Sequence, residues 1–71
     1  MQTIINYSNN EDGSRCGYYF MHKGKKYSDI DDAKNIKSLI RSMVKLVCTL
    51  HGGRPMYKIV EVSWKELLKR I

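Results

Sequence analysis

Cys48 and His51 stand in a C-x2-H spacing, and Cys16 lies six positions before His22 earlier in the chain. Thiolate and imidazole are the ligands of tetrahedral zinc, so two such pairs meeting in space would make a four-ligand site. Neither pair forms part of a zinc knuckle. A small buried thiol, followed by a histidine whose charge suits a helix C-terminus, accounts for Cys48 and His51 without a metal. The run His51-Gly52-Gly53-Arg54 is the other place where chemistry would fit, because glycine amides beside an arginine cradle phosphate. A helix stop explains the same glycines. No nucleophile–base spacing, P-loop or dinucleotide fingerprint accompanies the histidines, cysteines and tyrosines. A ribonuclease or thiol enzyme is therefore not the expectation, and neither is a cofactor.

Binding chemistry is better represented. Thirteen Lys and Arg against seven Asp and Glu give a formal net charge of +6 on 71 residues. That balance favours polyanionic partners, nucleic acid first among them. The stretch Tyr18-Tyr19-Phe20-Met21-His22-Lys23-Gly24-Lys25-Lys26-Tyr27 sets four aromatics and three lysines around one glycine. Bases of single strands stack on such rings within a basic groove, and Tyr19 with Lys26 would be the working pair. Gly17 to Met21 resembles the aromatic core of the RNP1 segment of RNA-recognition motifs. Those domains place a helix between their first two strands, where this sequence has a turn-rich loop, so the family is not inferred. Further on, Lys34, Arg41 and Lys45 fall within about 40° of one another on a helical wheel, with Lys37 at the margin. No acidic residue interrupts the chain between Ala33 and Val60. Arg15, Lys23, Lys25, Lys26 and Arg54 would extend this stripe along a phosphate backbone.

These residues need elements to position them. Thr3–Tyr7 is β-branched and aromatic and reads as a first strand, and Ser8–Ser14 is a dense cluster of turn formers. The aromatic stretch reads as a hairpin turning at Lys23-Gly24, with His22 opposite Lys25 and Phe20 opposite Tyr27. In that register Tyr18, Phe20, His22, Lys25 and Tyr27 share the core face, and Tyr19, Met21 and Lys26 share the other. Ser28-Asp29-Ile30-Asp31 reads as a capping box. It opens a helix of about 20 residues whose apolar face is Ile30, Ala33, Ile36, Ile40, Met43, Val44, Val47 and Leu50. Gly52-Gly53 and Pro55 end it. Met56–Val62 alternates as a strand, and Ser63 with Glu66 caps a short helix carrying Trp64, Leu67, Leu68 and Ile71. The expected fold is a single α+β domain over residues 1–71. A small antiparallel β-sheet, in the order β-ββ-α-β-α, packs against one long helix and a short C-terminal helix. Three strands followed by a helix are similar in topology alone to the arm-binding domains of phage-type integrases.

No 18-residue apolar run and no signal-peptide pattern occurs, which points to a cytoplasmic chain without membrane contact and with reduced cysteines. The leading expectation is a small non-enzymatic nucleic-acid-binding module for DNA or RNA. The alternative is a protein-interaction module, a small inhibitor or modulator encoded by a phage or mobile element. Its terminal apolar helix would meet a protein partner or a second copy in a homodimer.

Overall fold

The β-hairpin of the aromatic stretch forms in the expected register. In the computed structural model, which describes residues 2–71, β2 (Arg15–His22) and β3 (Lys25–Asp32) pair antiparallel, with His22 opposite Lys25 and Phe20 opposite Tyr27. Lys23 and Gly24 turn the chain with φ of 50° and 78°. Positive φ at both central residues is the two-residue turn whose twist suits a hairpin. Lys23 holds this conformation at a cost of about 1 kcal/mol that Gly24 does not incur. β1 (Thr3–Asn9) lies antiparallel to β2, placing Asn6 beside Tyr19 and Tyr7 beside Tyr18.

Two expectations for the chain beyond the hairpin fail. The segment Ser28–Asp32 is not a helix start: β3 runs on to Asp32, opposite Arg15. The Asp29 carboxylate accepts from the Ile30 amide and the Asp31 carboxylate from the Asp32 amide, so neither caps a helix. An eight-residue partner strand supplies a ladder bond for each further pair, and one cap worth about 1 kcal/mol does not outweigh that. The helical segment begins instead with a 3-10 turn at Ala33–Asn35, anchored by the Ala33 amide on the Ser14 carbonyl. It continues as α1 (Ile36–Leu50).

The sheet is also mixed rather than wholly antiparallel. α1 is about 22 Å long and returns the chain to the end where β3 began, so β4 (Tyr57–Glu61) runs parallel to β1. The strand order is β3-β2-β1-β4, which makes α1 the crossover between the two edge strands. The α+β class and the order of elements stand as expected.

α1 covers the face carrying Ile5, Tyr18 and Phe20 and buries Leu39, Met43 and Val47 against them. Leu39 is not among the apolar positions expected of the helix, whereas Ile30 and Ala33 belong to β3 and the 3-10 turn. Phe20, Ile5, Met43 and Val47 are fully buried, and each contributes about 1.5–3 kcal/mol. The Tyr27 ring stacks on Phe20 at 4.9 Å. At the C-terminus of α1 the Gly53 amide donates to the Cys48 carbonyl and the Gly52 amide to that of Thr49, with both glycines at positive φ. These two bonds satisfy carbonyls the helix leaves open.

α2 (Trp64–Arg70) packs on the opposite face of the sheet. The Ser63 hydroxyl accepts from the Glu66 amide at 3.1 Å, while the Glu66 carboxylate turns outward to Arg70. Leu67 is fully buried; Leu68, expected on the same apolar stripe, is exposed. No helix among the described residues is long and apolar enough to cross a membrane.

Candidate nucleic-acid interface

The carboxylates are segregated along the strand direction. At one end of the sheet stand the β1–β2 loop with Glu11 and Asp12, the second half of β3 with Asp29, Asp31 and Asp32, and the end of β4 with Glu61. The remaining carboxylate, Glu66, lies in the first turn of α2, which starts from the same end. All seven carboxylates of the chain are thereby accounted for. The opposite end carries the hairpin tip with Lys23, Lys25 and Lys26, Arg54 after α1, and Lys58 in the first half of β4. α1 runs from the acidic end to the basic one, so Arg41 lies near the middle of the helical segment and Lys45 toward the cations.

The burial of Cys16 fits this polarity. Its thiol, at the acidic end, donates to the Asp32 carbonyl at 3.6 Å. Burial pushes the thiol above its ordinary range, and Asp31, Asp32 and Asp29 push the same way.

Lys37, Arg41 and Lys45 are exposed on the side of α1 that faces away from the sheet, and Lys34 is exposed in the 3-10 turn before it. The one ion pair among the described residues is Arg70–Glu66, so the stripe carries uncompensated charge. The stripe does not form one surface with all of the other expected residues. Tyr19 and Lys26 point from the opposite sheet face, with the sheet and α1 between them and Arg41. Arg15 sits at the acidic end in a shallow depression with Ile30, Asp31 and Asp32. Lys34, in the 3-10 turn directly after Asp32, lies at that end too. Lys25 stands over the Tyr27 ring at 5.1 Å on the α1 side, a cation–π contact.

At the basic end, three elements meet through His51. Its Nε2 lies 2.6 Å from the Thr3 hydroxyl of β1, and its ring meets that of His22 of β2 edge to face at 4.9 Å. Burial lowers the His51 pKa below its ordinary value, with His22 and Lys23 adding positive charge in the same direction. A hydroxyl within reach of an imidazole is the first half of a nucleophile–base pair. No carboxylate among the described residues stands at this end to orient the ring. Nor do Cys16, Cys48, His22 and His51 converge: Cys16 is six residues along β2 from His22, about 20 Å. No cluster of three or more metal-ligating side chains occurs among the described residues.

The same end holds a concavity of about 660 Å³ lined by Ile4, Asn6, Tyr19, Met21, Lys23 and His51, among others. Lys58 and Asn6, which border this region, were missed at the sequence level. Strand alternation in Met56–Val62 sets Lys58 on the face of Val60, but only the parallel pairing with β1 shows that this is also the face of Tyr19. Comparison with protein-family models, with curated proteins and with solved structures finds no match.

Proposed function

We propose that the protein is a non-enzymatic nucleic-acid-binding module that holds the phosphate backbone along the outer side of α1 and the hairpin tip. The observation that carries this reading is the segregation of the carboxylates. Seven carboxylates gather at one end, and the cations on the outer side of α1 and at the tip are left without partners. A surface charged merely for solvation interleaves the two signs; a phosphate-tracking one does not. Lys37, Arg41 and Lys45 provide the helical contacts, and Lys23, Lys25 and Arg54 continue them. Arg15 and Lys34 contribute less, since they stand beside Asp31 and Asp32.

Electrophoretic or anisotropy titration of a labelled duplex against salt tests this. Four to six phosphate contacts imply a log–log slope of about −4 to −5, hence a loss of two to three orders of magnitude in affinity between about 50 and 200 mM salt. Replacing both Arg41 and Lys45 by Glu removes about two contacts from the slope. Unchanged affinity in that double variant refutes the reading. A second reading, a protein-interaction module, draws on the exposed side chains of Ile4, Met21, Ile59 and Leu68. It implies a partner whose affinity hardly varies over the same salt range.

A further inference from the structure

α2 covers only one half of the outer sheet face. On the other half the strand register aligns side chains in rows across the sheet. Lys26 of β3 is opposite Met21, and Lys58 of β4 is opposite Ile4. The β1–β2 register that pairs Asn6 with Tyr19, carried two residues on, sets Ile4 beside Met21. One row is therefore Lys26, Met21, Ile4, Lys58, and the next is Ser28, Tyr19, Asn6, Val60. Met21 is 52% and Ile4 43% exposed, and the half-buried Tyr19 ring lines the same concavity. The two lysines flank this apolar floor on strands about 14 Å apart, three inter-strand spacings. His22, Lys23 and His51 close the rim at the hairpin tip. No carboxylate projects from these rows.

We infer that this half-face binds single-stranded nucleic acid, with a base laid on Tyr19 and Met21 and its flanking phosphates at Lys26, Lys58 and Lys23. The inference takes its class of partner from the proposed function but, apart from Lys23 at the shared hairpin tip, uses other residues on the opposite side of the molecule. Bases in a duplex are paired and stacked and offer no flat face, whereas unstacked bases lie against an aromatic ring irrespective of sequence. Asn6, directly opposite Tyr19 and lining the same concavity, offers an amide to the hydrogen-bonding groups of a base. A second copy of the chain that presented this same face would set its own lysines against these and be repelled. A globular protein partner buries about 800 Å² on each side of a standard interface, far more than Tyr19, Met21 and Ile4 offer.

Fluorescein-labelled 12-mers of thymidine and of uridine, and a duplex DNA of equal length, are the probes, read by anisotropy at low salt. Tyr19→Ala is expected to weaken single-strand binding about tenfold or more and to leave duplex binding unchanged, while Tyr19→Phe, which keeps the ring, binds as the parent does. Single strands bound no better than duplex, or equal losses for both probes in Tyr19→Ala, overturn the inference. The same holds if Tyr19→Phe loses as much as Tyr19→Ala. The variant with Glu at both Arg41 and Lys45 separates the two surfaces. If it keeps duplex affinity while Tyr19→Ala loses single strands, the helix reading falls and this one stands. Duplex binding lost in that variant, with no single-strand preference in the parent, leaves the converse.

Discussion

The two halves of the outer sheet face are built on the same strands and end up with opposite fates. On the half near the acidic end, β2 presents Gly17, and Leu67 of α2 fills the space a side chain would take. On the half near the basic end, β2 presents Tyr19 and Met21, and among the described residues no helix packs over them, leaving Met21 exposed and Tyr19 half-buried. Two residues along one strand thus separate core from surface. The glycine is the cause: a Cβ at position 17 would stand 2.9 Å from Leu67 Cδ2, 3.0 Å from the Asp29 carbonyl oxygen and 3.1 Å from Ile30 Cγ1. The missing side chain gives α2 its seat, and side chains as large as Tyr and Met leave no such seat further along.

If the halves differ in this way, truncation should read very differently on each. Leu67→Ala is expected to cost about 2–5 kcal/mol, since it opens a cavity under the helix that covers this face, while Met21→Ala stays within about 0.5 kcal/mol. Urea unfolding of both variants checks the contrast, and equal losses would break it. Gly17→Ala comes next, at about 1–3 kcal/mol, because the added methyl meets a backbone carbonyl as well as two side chains. In a Leu67→Ala background that cost should shrink, as the nearest obstacle is gone; strict additivity would mean α2 is not what Gly17 accommodates. The smallest effect concerns the rim of the bare half. The His51 pKa is lowered on folding, so the folded state holds fewer protons than the unfolded one between the two values. Stability from this group is then complete above about pH 6.5, the ordinary histidine value, and is lost as pH falls through the folded value. Thermal melts at several pH values should show that decline in the parent and a weaker one in His51→Gln.

Much of this architecture is legible in the chain. Period-two alternation and the Lys23-Gly24 turn fix the hairpin register and thereby place Phe20 inside and Tyr19 outside. Paired glycines stop α1, and Ser63 caps α2, because both are local chemistry. What escapes local reading is whatever depends on a distant partner. Ser28–Asp31 has the composition of a helix cap, yet β2 claims it as strand. The direction of β4 is set by where a 15-residue helix delivers the chain, not by its own residues. The candidate site fares likewise. Its cations are visible in the composition, but their division between two sides of the sheet, and the gathering of all carboxylates at one end, emerge only once the four strands are ordered.

That order has a consequence for how the molecule comes into being. β1, synthesised before the other three strands of this sheet, occupies the interior of the sheet and takes β4, more than 50 residues later, as one of its two neighbours. Until Tyr57–Glu61 has been synthesised, one edge of β1 has no partner, and an open edge that carries Ile4 and Ile5 invites pairing with other chains. The hairpin and α1 can assemble by short-range contacts, whereas closure of the sheet waits on the most sequence-distant pairing in the fold. Nascent chains released before that strand exists are the form of this protein most exposed to aggregation and to quality control.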